Sequence, residues 1–193
     1  MSEIRYTIKF FNEWSCGSGL AAGANVNSLV IKDRNNLPFV PGKTIKGLVR
    51  EVVDELLFFY KKEDTSNINK KIIKTFGFFN EGEDTSEKGS AFFTNAELSK
   101  DEQKAIISNK LSRYMYRSVS STAINKDGIS DNHSLRRVET VVPCSLEGRI
   151  LDIPDENVKE FIIRSFGMIK RIGQNRNRGL GRCYFYIMKG DVQ

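Results

Sequence analysis

The chain has 193 residues, of which 39% are hydrophobic, and this size and composition fit one domain with a well-buried core. It carries 30 Lys and Arg against 24 Asp and Glu, and the resulting net charge of +6 favours a polyanion such as a nucleic acid as partner. No apolar run is long enough to cross a bilayer and the first residues do not resemble a signal peptide, so we expect a cytoplasmic protein with no membrane partner.

The first part of the chain predicts a strand, a long loop and a helix. Residues 4–11 alternate apolar and polar side chains with the period of a half-buried strand. Residues 15–28 are rich in Gly, Ser and Ala and predict a loop, which a short strand-like segment at 29–31 follows. From Thr44 onward, apolar residues recur at helical spacing: Ile45, Leu48, Val49, Val52, Val53, Leu56 and Leu57.

The remaining elements predict an α+β fold with an inserted hairpin. Residues 61–69 resemble a linker, 72–76 a short helix stopped by Gly77, 82–89 an acidic loop and 90–98 a strand with its exit turn. Residues 113–150 predict an extended hairpin with a polar tip at 125–134. A helical stripe at 158–172 and a last strand at 182–188 complete an open sheet with helices packed on one face.

A glycine-rich loop at residues 172–182 is the most informative stretch. Between residues 161 and 189 there are seven Lys or Arg and no acid. Glycine lets backbone N–H groups approach phosphates, and guanidinium groups bind them directly, so the loop predicts a clamp for a polyanion. A basic surface that is merely solvated is the alternative. The candidate RNA-binding residues are Gly173, Arg176, Arg178, Gly179, Gly181 and Arg182.

Other signals for chemistry are weak. Gly42-Lys43-Thr44 at a helix start suggests a P-loop, but Leu37 stands where that motif needs a glycine. Three widely spaced cysteines (Cys16, Cys144 and Cys183) and one histidine indicate neither a disulfide framework nor a zinc site. We therefore expect no metal and no cofactor. His133, in the hairpin tip, could act as a general base if RNA were laid across it.

Four motifs in order along the chain carry a family resemblance. Residues 37–50, Leu-Pro-Phe-Val-Pro-Gly-Lys-Thr-Ile-Lys-Gly-Leu-Val-Arg, resemble a "PGxSLKGxxR" signature, and Val-Ile-Lys-Asp at 30–33 precedes them. Thr-Phe-Gly at 75–77 resembles "LFG", and residues 92–98 resemble an "F-x-D-A-x-L" strand. With the terminal glycine-rich loop, these motifs are similar to those of the RAMP superfamily, the repeat-associated proteins of CRISPR effector complexes, which serve in antiviral defence.

Within that family the chain most resembles the backbone subunits of type III complexes, of the Csm and Cmr types. The resemblance rests on residues 121–128 and 137–143, which are similar to the arms of the family's thumb hairpin. It implies a ferredoxin-like, RNA-recognition-type core that polymerises along a guide RNA, with each thumb displacing a base of the guide–target duplex. The implied partners are guide crRNA, target RNA, neighbouring copies and other effector subunits.

The site that these expectations define has three parts. The start of the helix supplies Lys43, Thr44, Lys46 and Arg50, where the helix dipole already favours phosphate. The hairpin arms supply Arg117, Arg136 and Arg137 as further RNA contacts. The expected thumb residues are Ser121, Thr122, Ala123, Ile124 and His133.

One position departs from the pattern of target-cleaving family members. In those proteins an aspartate lies shortly before the Val-Ile-Lys-Asp strand, and the matching position here is Asn27. No acid lies between Glu13 and Asp33, so the resemblance implies a subunit that binds without cleaving. The rival hypotheses are a Mg²⁺- or Mn²⁺-dependent ribonuclease that uses Asp127, Asp131 or Glu139, a guide-processing ribonuclease that uses His133, and a stand-alone RNA-binding module.

Overall fold

A computed structural model describes residues 2–20, 28–59, 65–80, 85–131 and 134–188. Asn27 and His133 lie outside these described residues. The strands are β1 (Ser2–Phe10), β2 (Gly77–Asn80), β3 (Thr85–Lys88), β4 (Phe92–Phe93), β5 (Tyr116–Ser121), β6 (Arg136–Val141), β7 (Ser145–Ile153) and β8 (Cys183–Ile187). The helices are α1 (Gly42–Phe59), α2 (Thr65–Phe76), α3 (Lys100–Ser108) and α4 (Glu156–Met168).

A four-stranded antiparallel sheet with the order β4-β7-β1-β8 forms the centre of the protein. The alternation predicted for β1 is confirmed, since Ile4, Tyr6, Ile8 and Phe10 are buried while the residues between them are more accessible. A buried face of this kind fixes the strand register, because a slip of one residue would turn the apolar side chains to solvent. The α+β class predicted from the sequence is thus confirmed.

The core lies between one face of the sheet and the helices. Phe166 of α4 stacks on Phe185 of β8 with 4.5 Å between ring centroids, and both rings lie within 5.5 Å of Tyr6. Helix α1 buries Ile45, Val49 and Val53 along its apolar stripe, as its spacing predicted. Because the helices cover one face, the other face of the sheet keeps accessible side chains on β1, β7 and β8.

Several expected boundaries differ from the structure. Residues 65–69 begin α2 and are not a linker, and Thr85–Lys88 is a strand paired with β2 where an acidic loop was expected. The hairpin arms are β5 and β6, whereas Ser145–Ile153 is a central strand, so the hairpin ends before the predicted limit of 150. Helix α4 ends at Met168, short of Gly173. In the described part of the chain, no helix is both long and apolar enough to cross a membrane.

Candidate nucleic-acid interface

The glycine-rich loop joins α4 to β8 and is closed at its base by the backbone. The N–H of Ile172 donates to the carbonyl of Gly181 at 2.9 Å, and the backbones of Arg171 and Arg182 form an antiparallel β-bridge. Gly181 has φ +72°, and a Cβ there would lie 2.0 Å from the Ile172 oxygen. Only glycine combines that left-handed conformation with such a close approach, which explains why the sequence has glycine at this position.

The segment that leaves β1 holds the loop in place. The N–H of Gln174 donates to the carbonyl of Ser15 at 2.7 Å, and the N–H of Gly181 donates to the carbonyl of Glu13 at 2.8 Å. Asn12 holds the second half of the loop, its side chain donating to the carbonyl of Gly179 and accepting from the N–H of Arg182. Asn12 and Glu13 were not among the predicted site residues, although a polar residue directly after a strand is a signal for such a contact.

The loop presents its arginines to solvent. A short 3-10 turn, Arg176–Arg178, forms its outer edge, and the side chains of Arg176, Arg178 and Arg182 are exposed. Among the described residues, none of these three arginines forms a salt bridge with an acid. Their charge is therefore available to a ligand.

A groove of about 350 Å³ brings the loop together with the start of α1. Lys43 and Thr44 line it from the helix, and Gly173, Gln174 and Arg176 line it from the loop. Gly17 also lines the groove, and the side-chain amide of Gln174 packs against it. Two motifs that are about 130 residues apart in the sequence thus face one cavity, with a helix N-terminus and basic side chains on its wall.

Two other predicted contacts lie elsewhere on α1. Arg50 donates to the carbonyl of Gly77 at 3.0 Å and lies 3.7 Å from Asp54, so it joins α1 to β2 and does not line the groove. Lys46 is half-buried, and its pKa is lowered first by burial and then by the neighbouring charges of Arg50 and Lys88. These three cations form a second basic group beside the β2–β3 hairpin.

The β5–β6 hairpin is attached at its base to the residues around the loop. The backbones of Trp14 and Val141 exchange hydrogen bonds, and Arg117 lies 3.1 Å from the Glu13 carboxylate. Glu139 accepts from the N–H of Val30 at 3.0 Å and from the Lys32 ammonium at 2.8 Å. The segment after β1 therefore positions both the hairpin and the glycine-rich loop.

The far end of the hairpin is exposed. Ser121, Thr122, Ala123 and Ile124 are all accessible, as are Arg136 and Arg137. A polar turn closes the tip, with the Asn125 side chain accepting from the N–H groups of Asp127 and Ile129. Ile124, Ile129 and Leu135 are 67%, 63% and 57% exposed, and the last two were not among the predicted thumb residues.

The acids named for the ribonuclease hypothesis do not converge. Asp127 and Asp131 are exposed in the tip, whereas Glu139 is held at the hairpin base by Val30 and Lys32. The described residues contain no group of three or more His, Cys, Asp or Glu placed to bind a metal. The positions of Asn27 and His133 lie outside the described residues.

Comparisons with known proteins agree with the motifs. The family model of the RAMP superfamily matches residues 7–184. Among solved structures, the chain is similar to a chain of the type III-B Cmr-beta complex bound to cognate target RNA, with a TM-score of 0.70, 11% identity, and coverage of 100% of this chain and 99% of that one. It is also similar to a chain of the same complex in the apo state, with a TM-score of 0.67, 11% identity and 99% coverage of both chains. None of the curated proteins compared with the chain matches it significantly.

The family match spans most of the chain and includes the helix motif, the hairpin and the start of the last strand. The chain belongs to the RAMP superfamily.

Proposed function

We propose that this protein is a backbone subunit of a type III CRISPR effector complex that binds guide RNA and its duplex with target RNA and does not cleave them. The observation that carries the proposal is the groove in which Lys43 and Thr44 face Gly173 and Arg176. Backbone N–H groups, a helix N-terminus and unpaired arginines bind phosphates that every nucleotide shares. Such a site suits a guide whose sequence varies.

The fold supports this role. The four strands of the central sheet and the helices α1 and α4 occur along the chain in the order β1-α1-β4-β7-α4-β8. This is the β-α-β-β-α-β order expected of a ferredoxin-like core. The two similar solved chains come from a Cmr-beta complex, one of them with cognate target RNA bound. By analogy, the partners of this chain are crRNA, target RNA, further copies of itself and other effector subunits in the cytoplasm.

The hairpin supports a role in ordered assembly. Its base is fixed to the clamp through Glu13 and Trp14, while its tip extends away with Ile124, Ile129 and Leu135 exposed. An arm with an apolar end can reach RNA that a neighbouring copy holds. We therefore expect ordered multimers on a long guide RNA, and mass measurement of the protein with that RNA tests this. A complex that stays at one copy on long RNA contradicts the backbone role.

The clamp itself is tested by removing its charges. The triple variant Arg176→Ala, Arg178→Ala, Arg182→Ala should weaken guide binding equally for unrelated sequences and reduce the slope of affinity against salt, because fewer counterions are released. The variant Arg34→Ala, Lys104→Ala, Lys110→Ala removes the same charge from exposed positions outside the groove and should change both quantities far less. Unchanged affinity and slope in the arginine variant would contradict the clamp.

A further inference from the structure

A strip of aromatic and basic side chains lies on the open face of the central sheet, where β1 pairs with β8. Lys9 stands opposite Tyr184 and Thr7 opposite Tyr186. One step further, the N–H of Phe11 donates to the carbonyl of Arg182 at 2.9 Å. Residues directly opposite in an antiparallel pair place their side chains on the same face, so these rows form one continuous surface.

The strip faces away from the core. The alternate residues on these strands, among them Phe10, Cys183 and Phe185, are buried. In contrast, Phe11 is 48% exposed, Tyr184 42% and Tyr186 47%. The two tyrosine rings are 4.7 Å apart at an angle of 59°. Three large rings on this face of the sheet thus keep accessible surface.

Three cations lie close to the rings of the strip. The Lys9 ammonium lies 5.8 Å from the centroid of the Phe11 ring, and the Arg182 guanidinium lies 6.0 Å from the same centroid. The Lys170 ammonium lies 5.8 Å from the Tyr184 ring. Within the described residues, none of these three cations forms a salt bridge.

Rings interleaved with cations that form no salt bridge within the described residues match the chemistry of single-stranded nucleic acid. Bases stack on aromatic faces whatever their sequence, while the cations neutralise the backbone. Two acidic residues lie near this face. Glu147 on β7 is separated from Tyr186 on β8 by Thr7 of β1, and Glu3 forms a salt bridge with Arg5. The charge of the strip therefore favours a polyanion over a protein surface of mixed charge.

The strip also continues the clamp. Arg182 ends the glycine-rich loop and begins the strip, and Tyr184 follows two residues later. We propose that Phe11, Lys9, Arg182, Tyr184 and Tyr186 bind single-stranded RNA by base stacking, so that a strand leaving the clamp groove continues across the sheet. This inference rests on the proposed RNA-binding function and adds a second site to it.

Two RNA probes distinguish stacking of bases on the rings from binding of the RNA phosphate backbone. A labelled single-stranded oligouridine offers free bases, and an RNA duplex of the same length offers phosphates without them. The variant Tyr184→Leu, Tyr186→Leu keeps apolar volume but removes the ring faces, so affinity for oligouridine should fall by at least about fivefold for each ring lost. Affinity for the duplex should remain within about twofold, because the clamp is intact.

Matched variants make the result specific. Tyr184→Phe, Tyr186→Phe keeps both rings and should bind oligouridine like the wild type. Tyr114→Leu removes a ring that is 60% exposed elsewhere and should have no effect. Equal binding of oligouridine by the leucine pair and the wild type overturns the proposal, and so does an equal loss on both probes.

Two more measurements distinguish the remaining explanations. If the leucine pair keeps its affinity for oligouridine but loses self-association in sedimentation without RNA, the strip is a contact between copies and the proposal is wrong.

The variant Arg176→Ala, Arg178→Ala changes residues outside the strip and tests the clamp separately. Unchanged binding of the duplex by that variant overturns the proposed clamp, while the comparison of leucine and phenylalanine pairs still decides the strip.

Discussion

The side-chain oxygen of Asn12 accepts a hydrogen bond from the backbone N–H of Arg182 at 2.8 Å. The same side chain donates to the carbonyl of Gly179, so one residue at the exit of β1 holds the chain that follows the arginine-bearing turn. A glycine-rich segment loses much conformational entropy when it is ordered, and such cross-links offset that cost. Asn12 thus preorganises the clamp without contacting the groove itself.

Asn12→Ala should loosen the loop and leave its charge unchanged. Loss of the two hydrogen bonds should lower the free energy of unfolding by roughly 1–2 kcal/mol. RNA affinity should fall while the slope of affinity against salt stays as in the wild type, since all three arginines remain. Urea denaturation and a salt titration of RNA binding check this. A reduced salt slope in Asn12→Ala would show that the residue acts on the number of phosphate contacts and not on loop order.

Glu139→Ala should detach the base of the hairpin. The carboxylate holds the N–H of buried Val30 and the Lys32 ammonium, and its removal leaves both donors without this partner. We expect a loss of about 1–3 kcal/mol in the free energy of unfolding. Glu97→Ala removes an exposed carboxylate that lies 3.9 Å from Lys100 and should change stability by well under that amount. Equal stability of the two variants would contradict a structural role for Glu139.

Asp155 should make stability depend on pH. It caps α4 by accepting from the N–H groups of Asn157 and Val158, and it lies 2.8 Å from the Lys71 ammonium of α2. The hydrogen bond from Lys71 lowers the pKa of Asp155 below its ordinary 3.8, a shift that burial opposes. A carboxylate with a depressed pKa adds stability that is present above its unfolded pKa and is lost as pH falls through its folded pKa.

Asp155→Asn keeps a capping side chain but removes the charge. The wild type should therefore be more stable than this variant near neutral pH, and the difference should shrink as pH falls below about 4. Urea denaturation of both proteins across this range measures it. A difference that is constant over the whole range would contradict the assignment of the shift to the Lys71 contact.

Much of the fold could be predicted because its signals are periodic. The strand β1 and the helices α1 and α4 each bury one face, and their spacing shows which face that is. By contrast, all four residues of β3 are exposed, so its sequence carries no apolar alternation. Helix α3 has no fully buried residue, and only the capping box of Ser99 and Glu102 marks its start.

The sequence motifs named individual residues of the candidate site but did not show how these residues are arranged in space. The motifs named Lys43 and Arg176 separately, and only the structure shows that the two residues line one groove. Residue type alone also did not show the partners of two candidate residues. Arg50 contacts Gly77 outside the groove, and Glu139, a candidate catalytic acid, is held by Val30 and Lys32. A charged side chain shows its role only when its partner is known, and long-range partners have no local sequence signal.

The residue at position 27, an asparagine, should determine whether the complex cleaves its target RNA. The sequence between Glu13 and Asp33 contains hydroxyls, amides and glycines but no carboxylate, and a neutral amide supplies no negative charge to help hold a divalent cation. The assembled wild-type complex should therefore leave a guide-paired target RNA whole in Mg²⁺ or Mn²⁺. Asn27→Asp should introduce metal-dependent cutting at regular spacing, and Asn27→Ser, which adds no charge, should not. Labelled target RNA resolved on denaturing gels measures both. Regular cleavage by the wild type that is abolished by changing Asp127, Asp131, Glu139 or His133 would establish the ribonuclease hypothesis in place of ours.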